Sequence, residues 1–415
     1  MPEQPFEFDV TCDAGVIAKT VPTKRLVEVS LRAPQAAARA TRPAFNLALV
    51  LDVSGSMSGD KLAYTKRAAS YLLDQLRDGD QVALVTYDSN VQVPGEMQPF
   101  TRDLREDLHR RIEALRAGSM TNLSGGWLEG CRQVGLVQAT GAVNRALLLS
   151  DGLANVGITD REELGEHARQ LSQRGVSTST FGAGRDFDEH LLEVLANQGD
   201  GNYYYIDTPE SIPEIFRREL EEIAAITLQE VVLILTVPAH TSVEIPGEWR
   251  TQSSDGKLKV FIGDLASAQQ RRLYLEVLAP PAEETALKLL LTLQARTPDR
   301  QEIKLDTSVQ FEYRSAEEAG TAARNDSLLK RYYHVSNAQV ASEALRMERE
   351  GRRDEAERRL QRQFIASAPY MDEEARTQYT NLRDRVKRGL DQAERKQVSQ
   401  DQYRIKRSKD KDHDV

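Results

Sequence analysis

Cysteine and histidine are scarce in this chain of 415 residues, and two kinds of site lose their support as a result. The sequence has two cysteines, Cys12 and Cys131, and six histidines. Two cysteines in different predicted elements fit reduced thiols better than a disulfide framework, and Cys131 is expected to be a small buried side chain on an apolar helix face. The histidines are scattered, with no partner at the spacing of metal ligands, so a histidine-based zinc site is not indicated.

Long apolar runs are also absent. No stretch approaches the roughly 20 residues that a membrane-spanning helix needs. Residues 1–5 lack the positive segment and the apolar core of a signal peptide. We therefore expect a cytoplasmic protein without a membrane span.

Basic residues are fewer than acidic ones, which gives a formal net charge of -9 and a pI of about 5.4. Phosphate binding usually needs a basic surface, so nucleic acid is not expected as a partner. The composition, 40% hydrophobic and 29% charged, is typical of a soluble globular protein. At 415 residues the chain is too long for one ordinary core, and two or three domains are expected.

The most informative motif is Asp52-Val53-Ser54-Gly55-Ser56, which directly follows the apolar run of residues 44–51. The run predicts a buried strand, after which the motif places one carboxylate and two hydroxyls at alternate positions. Gly55 allows the sharp turn that lets these three oxygens face one point. Oxygen ligands of this kind suit Mg²⁺, with Mn²⁺ or Ca²⁺ as alternatives.

Two further segments complete the set of oxygens. Thr121 lies in Gly118-Ser119-Met120-Thr121-Asn122, and Asp151 follows the apolar run of residues 146–149. Each segment is expected to leave the same edge of a sheet as the Asp52 motif. Taken alone, that motif is also compatible with a polar turn or a helix N-cap. Three strand ends that deliver Asp/Ser/Ser, Thr and Asp in this order favour a metal site.

The five residues Asp52, Ser54, Ser56, Thr121 and Asp151 resemble, position by position, the metal-ion-dependent adhesion site of the von Willebrand factor type A family. The resemblance covers residues 44–225. It implies that the first aspartate and both serines hold the ion together with the threonine, that the second aspartate binds directly or through water, and that a partner's carboxylate often supplies the last oxygen. Family members often have more glycine before the threonine than Gly118-Ser119-Met120.

Two other motif-based interpretations are not supported. Residues 55–61 lack the Walker spacing and the Ser/Thr after Lys61 that a nucleotide-binding loop requires. No Gly-x-Ser-x-Gly elbow of a serine hydrolase surrounds Ser54 or Ser56.

Residues 44–225 alternate short apolar runs with helical periodicity, which predicts a doubly wound α/β fold with a mostly parallel sheet. In such sheets ligands bind outside the carboxyl ends of the strands, and Asp52 and Asp151 both fall at such ends. The run Tyr203-Tyr204-Tyr205 is interpreted as strand residues that pack on helices, not as a binding face. The expected strands are 44–51, 81–87, 146–150, 177–181 and 202–206, with an antiparallel edge at 90–94.

Residues 226–315 show β-branched alternation between turns and predict an antiparallel β-sandwich. Residues 1–43 contain the similar alternation Leu26-Val27-Glu28-Val29-Ser30-Leu31 and are expected to join that sandwich. The arrangement is similar to that of soluble bacterial relatives of the calcium-activated chloride channel regulator and inter-alpha-trypsin inhibitor group. Residues 316–397 predict a helical hairpin with its turn at Glu350-Gly351-Arg352, and residues 398–415 predict a charged, disordered tail.

These features predict a non-enzymatic protein-binding module, in which a divalent ion bridges to an Asp or Glu of a partner protein. With only two carboxylates in the site, the ion keeps positive charge that attracts a further one. A metal-assisted phosphoester hydrolase is the alternative from another class, since bound Mg²⁺ can activate water. No general base, second metal site or phosphate-cradling loop accompanies the motif. A scaffold or co-chaperone for an ATPase, a role that the resemblance to some bacterial family members implies, is a third possibility.

Overall fold

The computed structural model describes residues 6–35, 42–137, 142–150, 154–183, 187–206, 208–247, 249–298 and 301–406. The chain divides into two compact units. The α/β unit comprises Ala38–Ile226 with Pro298–Arg300, and the sandwich unit comprises Met1–Ala37, Thr227–Thr297 and Gln301–Val415.

Strands and helices alternate in the α/β unit, whereas strands and then helices dominate the sandwich unit. The described strands are β1 Glu7–Cys12, β2 Val16–Ala18, β3 Thr23–Arg32, β4 Phe45–Asp52, β5 Gln81–Tyr87, β6 Val91–Pro99, β7 Val143–Ser150, β8 Ser177–Ala183, β9 Tyr203–Ile206, β10 Ile226–Thr236, β11 Ser242–Glu244, β12 Arg250–Ser254, β13 Lys257–Ala266, β14 Gln270–Ala279, β15 Ala286–Arg296 and β16 Glu302–Arg314. The described α-helices are α1 Asp60–Gln75, α2 Arg102–Ala114, α3 Leu123–Gly135, α4 Arg161–Gln173, α5 Glu189–Gln198, α6 Ile212–Ala224, α7 Ala316–Thr321, α8 Asp326–Arg349, α9 Arg353–Ser367, α10 Glu373–Arg388 and α11 Gln392–Lys406. None of these helices is both long and apolar enough to cross a membrane.

The α/β unit contains a six-stranded sheet in the order β6-β5-β4-β7-β8-β9. Every pair is parallel except β5 with β6. This confirms the predicted doubly wound fold. All eight residues of β4 are buried because it is a central strand, which explains its uninterrupted apolar run. The chain continues from β4 to β5 on one side and later returns to β7 on the other, so the strand order reverses at β4.

The aromatic run in β9 packs inside the unit, as predicted. Tyr203, Tyr204 and Tyr205 are buried. The ring of Phe181 stacks on Tyr204 at a centroid distance of 5.2 Å and on Phe216 of α6 at 4.5 Å. These contacts make the run part of the core and leave it no role as an exposed binding face.

A buried ion pair joins β7 to α6. Arg145 Nη1 lies 2.9 Å from Glu219 Oε1, and both side chains are excluded from solvent. Ser179 Oγ donates to Oε1, while Asn202 Nδ2 and Tyr204 Oη donate to Oε2. Burial opposes ionisation of Glu219, yet the Arg145 charge and the hydrogen bonds outweigh it and hold the pKa of this carboxyl below its usual value. The pair therefore anchors the last helix of the unit to the strand that leads towards Asp151.

The sandwich unit contains a four-stranded sheet, β1-β3-β14-β11, and a six-stranded sheet, β12-β13-β10-β15-β16-β2. Their apolar faces form one core, which includes Val27 and Val29 from β3 and Leu289 and Leu291 from β15. The N-terminal strands belong to this unit, because β3 pairs antiparallel with β14 over ten residues and β2 pairs with β16. The β2–β16 pair is parallel, unlike the antiparallel pairing expected for this sandwich.

The helical region is larger than the predicted hairpin. α8 and α9 form the hairpin around Glu350 and Gly351, but α10 and α11 pack with them in a core of their own. The expectation of a disordered tail from residue 398 is wrong for residues 398–406, which continue α11. Val398 and Tyr403 are buried there, so the helix has an apolar face that the charged composition conceals. Residues 407–415 lie outside the described residues.

Removing the charge of Glu219 should destabilise the α/β unit. Glu219→Gln leaves the Arg145 guanidinium buried without its counter-ion, and we expect the free energy of unfolding at neutral pH to fall by about 3 kcal/mol or more. Since the folded-state pKa of Glu219 is lowered, its stabilisation is present above the unfolded-state value of about 4.3 and is lost as the pH falls through the folded-state pKa. Wild-type stability should thus fall more steeply in acid than that of Glu219→Gln.

Urea unfolding between about pH 3 and pH 7 measures both effects. Glu221→Gln is the matched control, because Glu221 lies on the same helix, is exposed and pairs only at the surface with Arg217. It should change stability by less than about 1 kcal/mol. Equal effects of the two substitutions would contradict a structural role for the buried pair.

Candidate metal centre

The carboxyl end of β4 places one buried carboxylate beside two serine hydroxyls. Asp52 and Ser54 are fully buried, whereas Ser56 is exposed. The backbone N–H of Ser54 donates to Asp52 Oδ1 at 2.9 Å, and Ser54 Oγ lies 3.1 Å from Ser56 Oγ. The turn that follows Asp52 therefore brings the hydroxyls of Ser54 and Ser56 together and holds the backbone of Ser54 against the Asp52 carboxylate.

Backbone hydrogen bonds tie the segment after β4 to the loop between α2 and α3. Gly118 N–H donates to the carbonyl oxygen of Val53 at 2.6 Å, and Gly55 N–H donates to that of Ser119 at 2.7 Å. The glycine lets the Asp88 side chain approach closely at this crossing, because a Cβ atom at Gly118 would lie 2.1 Å from Asp88 Oδ2 and would displace that side chain. The departure from a more glycine-rich loop at Ser119 and Met120 thus leaves the close-approach glycine in place.

Thr121 lies in that same loop and is buried. Its N–H donates to Asn155 Oδ1 at 2.8 Å, and its carbonyl oxygen accepts from the N–H groups of Asn155 and Val156. The next residue, Asn122, caps α3 by accepting from Gly125 N–H. Thr121 is therefore held between the Asp52 segment and the segment around Asn155, which follows β7.

Asp151 falls outside the described residues. Its neighbour Ser150, the last residue of β7, is described, fully buried and directed at the site, since its Oγ donates to Asp52 Oδ2 at 2.8 Å. Asp52, Ser54, Ser56 and Thr121 are thus placed on adjoining segments at one sheet edge, and Asp151 remains a prediction.

Three residues of the site escaped the sequence reasoning. Tyr87 Oη donates to Asp52 Oδ2 at 3.3 Å, Ser150 donates to the same oxygen, and Asn155 holds Thr121. Tyr87 and Ser150 each place a hydroxyl at the end of an apolar strand, as Asp52 places a carboxylate. This shared position at the strand end is a sequence signal that could have assigned them to the site. Asn155 lies in a loop without periodicity, and only the fold reveals its contact.

The rim of the site is formed by the turn at Asp88-Ser89-Asn90 and by Met120. Asp88 Oδ1 accepts from Asn90 N–H at 2.8 Å, which closes the turn. Ser89 Oγ lies 2.7 Å from Ser119 Oγ and accepts from Met120 N–H at 3.2 Å. The side chain of Met120 is half-exposed, so an apolar group is presented next to Thr121.

The described donors fit a hard divalent cation. Carboxylate and hydroxyl oxygens are the ligands of Mg²⁺ and Ca²⁺. Within the described ranges, no group of three or more histidine, cysteine, aspartate or glutamate side chains is placed to hold a metal ion. The candidate site differs from such clusters because most of its described oxygens belong to hydroxyls. Asp52, Ser54, Ser56 and Thr121 could hold the ion, with Asp151 as the expected second carboxylate.

Comparison with known proteins supports the resemblance of the α/β unit to the von Willebrand factor type A family. Residues 46–218 match the model of the von Willebrand factor type A domain. The uncharacterized protein YfbK of Escherichia coli (strain K12) is 31% identical over 193 residues, which are 46% of this chain and 33% of YfbK. Inter-alpha-trypsin inhibitor heavy chain H1 of Mesocricetus auratus is 26% identical over 247 residues, which are 55% of this chain and 27% of that protein. The chain thus spans about a third or less of the length of these relatives.

Two solved structures share the fold over almost the whole chain. The von Willebrand factor type A protein from Catenulispora acidiphila has a TM-score of 0.74 at 18% identity, with 96% of both chains covered. The ArnB paralog VWA2 from Sulfolobus acidocaldarius has a TM-score of 0.64 at 17% identity, with 96% of this chain and 98% of that chain covered. Residues 46–218 are thus similar in sequence to the von Willebrand factor type A domain, and the doubly wound sheet that they form is part of a fold shared with these solved structures.

Proposed function

We propose that this protein binds a partner protein through a divalent metal ion, Mg²⁺ in the first place. Asp52, Ser54, Ser56 and Thr121 would hold the ion with Asp151, directly or through water, and an Asp or Glu of the partner would complete its coordination. When bound, the ion supplies a positive charge that attracts this carboxylate. The two free cysteines fit the reducing cytoplasm that the sequence suggests.

One observation carries the proposal: a fully buried carboxylate and an exposed hydroxyl belong to the same short turn at the point of strand-order reversal. Asp52 is excluded from solvent, whereas Ser56, whose Oγ lies 3.1 Å from that of Ser54, is exposed. An ion held by these groups would have protein oxygens on one side and solvent on the other. The solvent side is where an acidic side chain of a partner could bind.

A hydrolytic role has less support from the same contacts. General acid–base catalysis requires a positioned group that can exchange a proton. Asp52 already accepts hydrogen bonds from Ser54, Ser150 and Tyr87, so both of its oxygens are engaged by the protein. The histidines of the chain lie outside residues 52–58 and 118–122. We therefore propose a binding role and not an enzymatic one.

The first test is direct metal binding to the full chain. We expect one Mg²⁺ or Mn²⁺ site, and an affinity loss of more than 100-fold in Asp52→Asn, because a ligand change should exceed the about 10- to 100-fold effect of outer-shell changes. Isothermal calorimetry with Mn²⁺ measures this. Asp160→Asn is the matched control, since Asp160 caps α4 by accepting from Glu163 N–H and should not affect the metal. Unchanged Mn²⁺ affinity in Asp52→Asn would rule out this site.

The second test is capture of a partner from a lysate of the source organism. We expect a specific protein to be retained in Mg²⁺, released by EDTA and lost with Asp52→Asn. Met120→Glu should weaken capture by at least about tenfold without weakening Mn²⁺ binding, because it places a negative charge opposite the partner's carboxylate. Replacing single Asp and Glu residues of the captured protein by Asn and Gln then locates the bridging carboxylate.

Two outcomes would overturn the binding proposal. Capture that persists undiminished in EDTA would move the contact face away from the metal. Phosphoester turnover that survives repurification and disappears in Asp52→Asn would favour the hydrolase instead.

A further inference from the structure

We propose that Tyr87 and Ser150 are positioning residues of the metal centre: their two hydroxyls fix the orientation of the Asp52 carboxylate and thereby set the affinity for the ion. This inference rests on the proposed metal site. It adds two residues that do not bind the ion themselves and that the adhesion-site motif does not contain.

The contacts at Asp52 involve both of its oxygens. Tyr87 Oη and Ser150 Oγ donate to Oδ2 at 3.3 and 2.8 Å, and the N–H of Ser54 donates to Oδ1 at 2.9 Å. All four residues are fully buried. Donors on both oxygens fix the plane of a carboxylate, which a single hydrogen bond would leave free to rotate about its Cβ–Cγ bond. The carboxylate is therefore oriented by the protein before any ion binds.

The sheet register delivers the two hydroxyls from opposite sides. Tyr87 is the direct parallel partner of Asp52 across the β4–β5 pair. On the other side Leu51 pairs with Leu149, which brings Ser150 beside Asp52 at the end of β7. Each hydroxyl is thus carried by the last residue of a strand adjacent to β4.

The Tyr87 ring is held by α3. A Cβ atom at Gly126 would lie 2.3 Å from Cδ1 of this ring, so the absence of a side chain at Gly126 lets the helix pack directly against it. Tyr87 is buried and cannot move its hydroxyl away without displacing α3 or β4. The donor is therefore part of a rigid arrangement, as a residue that orients a ligand must be.

Two consequences for the ion follow from these hydrogen bonds. Orienting the carboxylate in advance reduces the ordering that metal binding must impose, which strengthens binding. Hydroxyl donors also withdraw negative charge from the carboxylate, so that the bound ion keeps more of its positive charge for a partner's oxygen. We expect the first effect to dominate the affinity for the metal alone.

Calorimetry with Mn²⁺ alone on the full chain tests the proposal. We expect Tyr87→Phe and Ser150→Ala each to weaken Mn²⁺ binding by about tenfold or more, in the range found when outer-shell partners of metal ligands are removed. Ser150→Thr, which keeps a hydroxyl, should restore most of the lost affinity.

A matched pair of controls lies in the same unit. Tyr204 Oη and Ser179 Oγ donate to the buried carboxylate of Glu219, as Tyr87 and Ser150 do to Asp52. Each of the four substitutions removes one hydroxyl donor from a buried carboxylate, so we expect all four to lower the urea midpoint by similar amounts. Tyr204→Phe and Ser179→Ala should nevertheless leave Mn²⁺ affinity within about twofold of the wild type. If Tyr87 and Ser150 had a merely structural role, all four variants would lose stability and keep the Mn²⁺ affinity of the wild type.

The outcomes separate this inference from the proposed function. Wild-type binding of Mn²⁺ with unchanged affinity in Tyr87→Phe and Ser150→Ala would overturn only the positioning role. A wild-type chain that does not bind Mn²⁺ would overturn both. Selective loss in the two site variants, with recovery in Ser150→Thr, would support the positioning role.

Discussion

The candidate site depends on two short backbone hydrogen bonds that join segments far apart in the chain. Gly118 N–H to the Val53 oxygen and Gly55 N–H to the Ser119 oxygen hold the turn after β4 against the loop before α3. Because backbone atoms make these contacts, the hydroxyls of Ser54, Ser56 and Thr121 are not used in them. The loop before α3 is in turn joined through Thr121 to the segment after β7. The loop after β4, the loop before α3 and the segment after β7 thereby form one surface at the edge of the sheet.

The unit solves the problem of a buried carboxylate in two ways. At Glu219 the negative charge is matched by the guanidinium of Arg145, and hydroxyl and amide donors satisfy the remaining lone pairs. At Asp52 the three donors described above are neutral, namely one N–H group and two hydroxyls. In the proposed function, positive charge is brought to Asp52 by an ion from solution. The permanent pair suits an anchor for a helix, and hydrogen bonds to both oxygens of Asp52 suit a carboxylate that is held in place for an ion.

Much of the α/β unit could be predicted because its signals are local. An apolar run long enough for a central strand precedes Asp52, and helical periodicity separates it from the next strand, so that fold class and sheet edge follow from a few windows of sequence. The contacts of Tyr87 and Ser150 could not be predicted in this way, since they depend on the register of two parallel pairs. Asn155 and the backbone contacts of Gly55 and Gly118 have no periodic signature. The end of the last helix, from residue 398, was missed for a different reason: charge dominates the composition after residue 397 and conceals the few apolar residues, such as Val398 and Tyr403, that bury one face.

The pairing of β3 with β14 has a consequence for biosynthesis. Ser30 and Gln270 are hydrogen-bonded neighbours although they are 240 residues apart in sequence. During translation from the N-terminus, β3 emerges first and must wait for β14, while the whole α/β unit between them can fold as soon as it has left the ribosome. In that interval Val27, Val29 and Leu31, which are buried in the finished sandwich, can pair with β1 but lack β14 on the other side of their strand. The nascent chain therefore keeps one edge of β3 unpaired until β14 has been made, and the pairing of these two strands must close a long loop.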